Sequence, residues 1–202
     1  MKDAKQTIRQ LLRARRQDLS AAVVENAGRA VAARVRELPC YAHAGSIVAY
    51  IANENEIPTA PLLEHATGAR WSLYLPRSGN GGQLVGWQPG EPLEPGRGGV
   101  LEPLGVPADP ASPIVVLVPV VAWDQTGTRL GRGGGFYDRL FARLSPEITR
   151  VGLAYEFQEY PGLPRDRWDV PLHYVITERR TVRCGVGLLG EASLRKGGVQ
   201  IQ

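Results

Sequence analysis

Apolar residues recur at helical spacing over residues 3–18, where Ile8, Leu11 and Leu12, continued by Leu19, predict one apolar stripe. Ser20 then stands as an N-cap before a second periodic segment carrying Val23, Val24, Ala27, Val31, Val35 and Leu38, which Pro39 ends. Beyond it the pattern changes to short, continuous apolar runs. Residues 46–52, 71–75, 114–118, 150–155 and 174–177 read as strands, and residues 84–87 as a further short one. Residues 53–57 predict a turn, followed by a short helix capped by Thr59 with Pro61 in its first turn. Phe136, Leu140, Phe141 and Leu144 return to helical spacing. Residues 77–113, rich in Gly and Pro, are too long for an ordinary connection and predict a binding wall or lid.

Strands separated by helices imply an α/β fold with a largely parallel sheet covered on both faces. A chain of 202 residues with 43% apolar content suits one core, so one domain is expected over residues 1–184, with residues 185–202 as a frayed tail. No internal repeat is visible. Cys40 and Cys184 have neither metal-ligand spacing nor a disulfide framework, and read as small buried hydrophobes in a reducing compartment. The sequence has no apolar run of transmembrane length and a polar N-terminus, so a cytoplasmic monomer without membrane contact is expected. The net charge of +4 admits an anionic partner, and a phosphorylated small molecule needs only a few of these charges.

Candidate chemistry concentrates between the 114–118 strand and the 136–144 helix. The connecting loop carries Gly127, Gly131, Gly133, Gly134 and Gly135, with Arg129 and Arg132 among them. Glycines allow positive φ and close approach of a ligand, amides ahead of a helix N-terminus favour an anion, and guanidiniums add directional donors. The stretch is neither a Walker A loop, since no Gly-Lys-Ser/Thr follows, nor a Rossmann fingerprint, since the acidic residue is missing. Lys5, Arg9, Arg13 and Arg16 fall on neighbouring faces of the first helix, either as a solvated basic surface or as cationic contacts.

The string from Asp124 through Gly127, Arg129, Leu130, Gly131, Gly133 and Gly135 to Phe136, Tyr137, Asp138 and Arg139, preceded by Pro119 and Trp123, closely resembles the signature of the 5-formyltetrahydrofolate cyclo-ligase family. The resemblance extends over residues 5–178. It takes in Lys5 and Arg9 in the first helix, Glu56-Ile57 before Thr59, Leu75-Pro76-Arg77, Leu101-Glu102-Pro103, and Leu163-Pro164 with Asp169 before a closing Thr177-Glu178. Two departures stand out: Gly98 and Gly99 where some members place an aromatic, a role Trp87 is a candidate to fill, and Trp168 where many carry a polar residue.

The resemblance implies a three-layer Rossmann-like fold of the ribose-5-phosphate isomerase and CoA-transferase type. It also implies ATP- and Mg²⁺-dependent closure of 5-formyltetrahydrofolate to 5,10-methenyltetrahydrofolate, releasing ADP and phosphate. It assigns nucleotide contacts to Lys5, Arg9 and residues 129–138, namely Arg129, Leu130, Gly131, Arg132, Gly133, Gly134, Gly135, Phe136, Tyr137 and Asp138. Folate contacts fall to Glu56, Phe136 and Tyr137, catalytic roles to Arg129, Arg132 and Tyr137, and Mg²⁺ to Asp138 and Asp169. Two other readings stay open. One is a sugar-phosphate isomerase or CoA-transferase-like enzyme on the same scaffold. The other is a non-catalytic nucleotide or RNA module, which would lack the interleaved aromatics of RNA-binding domains; no nucleic-acid partner is expected.

Overall fold

The structure, a computed structural model, describes residues 2–65, 71–77, 82–96, 99–144 and 147–185. Its frame is a seven-stranded sheet. In chain order the strands of the whole molecule are β1 (Ser46–Val48), β2 (Ser72–Arg77), β3 (Gln83–Gly86), β4 (Leu93–Pro95), β5 (Leu101–Pro103), β6 (Ile114–Pro119), β7 (Ala122–Trp123), β8 (Arg129–Leu130), β9 (Ile148–Leu153), β10 (Tyr174–Ile176) and β11 (Thr181–Arg183). The helices are α1 (Lys2–Gln17), α2 (Ala21–Arg36), α3 (Pro39–Ala42), α4 (Ala60–His65) and α5 (Phe136–Arg143), with a 3₁₀ turn over Glu156–Gln158. The sheet runs β11-β10-β9-β6-β1-β2-β3, parallel from β10 to β2 and closed at each edge by an antiparallel strand.

β6 lies at the centre because every residue from Ile114 to Val118 is apolar and β-branched or Leu, a run that only a strand covered on both sides can bury. Alternation divides it. Val115 and Leu117 join Ile47, Leu73, Leu75, Val151 and Leu153 against α2 and α4, whereas Ile114, Val116 and Val118 face Leu140 and Phe141 of α5. The result is a mixed α/β fold of three layers around a mostly parallel sheet, as the alternation of elements predicts.

Local expectations fare unevenly. Ser20 caps α2, its Oγ accepting from the Val23 amide at 3.4 Å. Pro39 ends the α2 register by opening α3 in its first turn. The buried run at 46–52 pairs only over Ser46–Val48, although Ala49 and Tyr50 stay buried. Val23 is exposed. Residues 77–113 are not without structure: they contain β3, paired to β2, and the β4–β5 hairpin. The segment 119–135, expected as one loop, contains the two-stranded ribbon β7–β8.

That ribbon turns on Asp124. Its buried Oδ1 accepts from the Thr126 amide, the Thr126 hydroxyl and the Thr128 amide, and its Oδ2 from the Leu163 amide. Gly127 follows at φ +86, where a Cβ would stand 2.4 Å from the Leu172 carbonyl oxygen. Asp124 and Gly127, read from the sequence with the phosphate loop, therefore shape a turn. α1 packs on this ribbon: Ile8 and Leu12 cluster with Val121, Ala122, Leu130 and Leu163. Leu11, expected in the same stripe, is 61% exposed. The buried face of α1 instead runs Lys5, Ile8, Leu12, Arg16, with a cation at each end and apolar residues between.

Cys184 is buried and Cys40 half-buried, both as free thiols, and burial pushes the Cys184 thiol up to about 12. The tail expected at 185–202 lies, from residue 186, outside the described residues, as does Gly98. Among the described residues no helix is long and apolar enough to cross a membrane.

His173 ties two adjoining parallel strands together. Its Nδ1 accepts from the Arg150 amide at 3.0 Å and its Nε2 lies 2.9 Å from the Arg150 guanidinium. Burial, then the charge of Arg150, lowers its pKa from 6.5 to about 4. Between these values the unfolded chain takes up a proton that the folded chain refuses. Its contribution is thus intact above pH ~6.5 and declines as pH falls towards ~4, by at most about 3 kcal/mol. Thermal melts from pH 7 to 4.5 should show a steeper decline in Tm for the wild type than for His173→Asn. Parallel curves would assign the acid limb to other groups.

Candidate active site

The site forms where the chain leaves the carboxyl ends of β1 and β6 and α1 crosses the ribbon, the position where open parallel sheets bind ligands. Three segments meet there: the turn at residues 53–57, the glycine loop at 131–135, and the loop at 163–170.

The glycine loop is held from both sides. Arg9 Nε donates to the Gly131 carbonyl at 2.8 Å, and Arg139 Nη1 to the Gly134 carbonyl at 2.9 Å. Gly133 and Gly135 adopt φ +100 and +63, conformations that side chains rarely take, and Gly135 serves as the left-handed N-cap of α5. Among the described residues, the amides of Gly133, Gly134 and Gly135 donate to no protein acceptor. They precede a helix N-terminus with Arg9 beside them, an arrangement suited to an anion. A cavity of about 240 Å³ opens along the adjoining face of α1, lined by Gln6, Arg9, Gln10, Arg13 and Arg132 among others.

Lys5, Arg13, Arg129 and Arg132 each have a carboxylate. Lys5 Nζ donates to Asp166 Oδ2 and Asp169 Oδ2, both at 2.7 Å. Burial disfavours the Lys5 charge, but these two carboxylates outweigh it and raise the Lys5 pKa. Asp169 shows the reciprocal effect: burial opposes its charge, and Lys5 with the Asp166 amide brings its pKa down. Arg129 Nη2 donates to Asp138 Oδ1 at 2.7 Å, and its Nη1 to the Val170 carbonyl. Arg132 Nε donates to Glu56 Oε1 at 3.2 Å. Arg13 donates to both oxygens of Glu54, at 2.9 and 2.8 Å. Arg9 and Arg139, each bonded to a loop carbonyl, have no carboxylate partner among the described residues.

Glu56 is buried, and its second oxygen accepts from the Asn53 amide at 3.2 Å. Tyr137 lies within its field: burial first, then the Glu56 charge, raise the phenol pKa well above the ordinary value. Tyr137 packs edge-on to Phe136 at 5.3 Å between ring centroids and tilted against Phe141 at 6.0 Å. Both aromatics also lean on the core beneath α5. The phenol stays protonated at neutral pH and can act only as a neutral hydrogen-bonding group.

Asp138 and Asp169 come together through Val170, whose amide donates to Asp138 Oδ1 at 3.3 Å. Each carboxylate keeps one oxygen, Oδ2 of Asp138 and Oδ1 of Asp169, without a hydrogen-bond partner among the described residues. Two hard oxygens suit Mg²⁺, which takes one or two carboxylates and completes its shell with water and phosphate. Among the described residues there is no group of three or more His, Cys, Asp or Glu that would form a cage by itself.

Other sequence candidates are placed elsewhere. Arg77 is tied to the Gly105 carbonyl and to Gln83. Trp87, the candidate for a missing aromatic wall, is buried in the core with its indole N–H on the Glu91 carbonyl. Trp168 is 62% exposed, with the Arg167 guanidinium over its ring. The sequence reading did not assign a site role to Glu54, Asn55 or Asp166, and it left Arg16 on a basic face. Arg16 was detectable, since it follows Lys5, Ile8 and Leu12 on one helical face. Glu54 and Asn55 were not: they adopt φ 51 and 56, and nothing local in the sequence announces it.

This architecture, with an anion-suited loop at the end of a parallel sheet and a carboxylate and phenol beside it, is that of an enzyme of the mixed α/β class. The profile of the 5-formyltetrahydrofolate cyclo-ligase family matches residues 1–178, and the chain belongs to that family. The 5-formyltetrahydrofolate cyclo-ligase of Escherichia coli K12 is 33% identical over 175 residues, 83% of this chain and 96% of that protein. The Haemophilus influenzae enzyme of the same name is 32% identical over 180 residues, 85% of this chain and 96% of its own. Among solved structures, the Aquifex aeolicus 5,10-methenyltetrahydrofolate synthetase superposes with a TM-score of 0.76 at 29% identity, covering 98% of this chain and 96% of its own.

Arg129 and Arg132 differ in a way that substitution should reveal. Arg129 is buried and bridges three segments, so Arg129→Ala should cost stability, by about 1.5–3 kcal/mol, because Asp138 loses its cation. Arg129, expected from the sequence to bind phosphate, is here bonded to Asp138 and Val170. Arg132 is partly exposed, and Arg16 stands 3.9 Å from the buried Glu56 to share its charge, so Arg132→Ala should cost less stability than Arg129→Ala while lowering kcat/KM about ten- to a hundredfold. Denaturant melts and steady-state kinetics on both variants check this; equal stability loss in the two would contradict it.

Proposed function

We propose that this protein closes 5-formyltetrahydrofolate to 5,10-methenyltetrahydrofolate at the expense of ATP, with Mg²⁺. The observation that carries this is the glycine loop: three undonated amides ahead of α5, flanked by Arg9 and Arg132, with Glu56 and Tyr137 beside it. The chemistry needs such a site because a formyl oxygen is a poor leaving group. The oxygen attacks the γ-phosphorus as the bond to the ADP oxygen breaks. N10 then attacks the formyl carbon, the C–O bond breaks, phosphate departs, and the N10 proton passes to solvent.

Phosphoryl transfer calls for alignment and charge stabilisation more than for covalent help. Gly133, Gly134 and Gly135 amides, Arg9 and Arg132 would hold the phosphates. Lys5 would approach from α1, steered by Asp166 and Asp169. Asp138 and Asp169 would hold Mg²⁺, which neutralises phosphate charge when bound. Glu56 would accept from the folate's N–H groups, and Tyr137 with Phe136 would stack against its ring while donating the phenol proton as a hydrogen bond.

Absorbance of the methenyl product is the direct test. Mixing protein, 5-formyltetrahydrofolate, ATP and Mg²⁺ should generate it, and omission of any one should abolish it. Full-rate turnover without nucleotide would rule the reading out. In Asp138→Asn and Asp169→Asn the Mg²⁺ concentration for half-maximal rate should rise. An unchanged Mg²⁺ dependence would leave the ion to the nucleotide alone.

A further inference from the structure

Arg16 is the most deeply buried cation at the site, with its side chain 1% exposed. Its Nε donates to the Glu54 carbonyl at 2.9 Å, but Nη1 and Nη2 have no hydrogen-bond partner. Two carboxylates stand just out of reach: Glu54 Oε2 at 3.7 Å and Glu56 Oε1 at 3.9 Å from Nη2. Glu54 is already bonded twice to Arg13. Glu56, by contrast, takes its one short cationic bond from Arg132, a partly exposed residue on the glycine loop. A buried guanidinium with unused donors is costly, and its persistence calls for a state in which those donors are used.

The Arg132–Glu56 pair supplies that state. Arg132 lines the cavity beside Arg9 and the undonated glycine amides, so an anion seated there competes with Glu56 for it. Once Arg132 turns to the anion, Glu56 would be left buried without a cation, at a penalty of several kcal/mol. Arg16 lies within a rotation of the carboxylate of filling the gap, with donors ready.

We propose that Arg16 is a positioning residue, the buried counter-ion onto which Glu56 turns when bound phosphate draws Arg132 away. This rests on the function proposed above. It makes nucleotide and folate binding cooperative: phosphate frees one oxygen of Glu56 from Arg132 and Arg16 fixes the carboxylate in its substrate-binding orientation. The link is reciprocal, so folate held by Glu56 in turn favours Arg132 on the phosphate.

Arg16→Met and Arg16→Lys in the full chain test it, by thermal melts with and without ligands and by steady-state kinetics. Arg16→Met should leave the ligand-free Tm equal to or above the wild type, because unused donors are removed. It should raise KM for 5-formyltetrahydrofolate and KM for ATP together, each about tenfold or more, because the lost coupling is reciprocal. A non-hydrolysable ATP analogue should strengthen folate binding in the wild type and fail to do so in Arg16→Met. Arg16→Lys, which keeps the charge, should recover most of the loss. A lowered Tm with unchanged KM values, or an ATP analogue that still strengthens folate binding in Arg16→Met, overturns the proposal. If Arg16→Met does not fold, Arg16→Gln decides: loss of the analogue's effect on folate binding upholds it, and wild-type behaviour rejects it. Absence of turnover in the wild type would instead reject the underlying reading, before any variant is compared.

Discussion

The buried bond between Arg129 and Asp138 is the tie on which the site depends. Arg129 leaves the β7–β8 ribbon, Asp138 sits in the first turn of α5, and both also bond Val170, through its carbonyl and its amide. Three segments remote in sequence are thereby fixed at one point. The glycine loop is the short chain between Arg129 and Asp138, so its two ends are pinned by the same ion pair. Between these fixed ends Gly133 and Gly135 take positive φ values, open to glycine because it has no Cβ. The Phe141 ring, 5.1 Å from the Arg129 guanidinium, covers the pair and limits its exchange with water.

A second constraint is charge balance. Lys5, Arg13, Arg129 and Arg132 all face carboxylates, and α1 carries two of these cations. Such pairing keeps a basic site stable while no anion is bound. On the function proposed above, a ligand phosphate would enter by exchange rather than by simple attraction. Arg9, bonded only to a carbonyl, is the cation from which that exchange can begin.

The parallel sheet and its helices were legible in the sequence because apolar runs such as Ile114–Val118 have one physical solution. The glycine loop was legible through composition and through its resemblance to a known family. What escaped was long-range use of polar groups. Nothing in the local pattern distinguishes Asp124, which builds a turn, from Asp138, which anchors a helix; both are single acidic residues beside Gly and aromatic neighbours. Leu11 was read into the stripe of α1 by spacing alone. The buried face of α1 instead includes Lys5 and Arg16, whose partners lie 161 and 38 residues away. Periodicity reports burial of apolar atoms and is silent on cations buried with their own counter-ions.

Asn55 extends this picture to motion. Its side-chain amide donates to the carbonyls of Arg16, Gln17 and Leu19, at and just beyond the end of α1, and its own carbonyl accepts from the Tyr155 hydroxyl. The turn that bears Glu56 thus terminates a helix from a distance. The last turn of α1 and residues 53–57 cannot open separately, so their backbone amides belong to one cooperative unit of hydrogen exchange, although dozens of residues separate them along the chain. A single side chain makes a helix end and the turn that bears Glu56 share one lifetime.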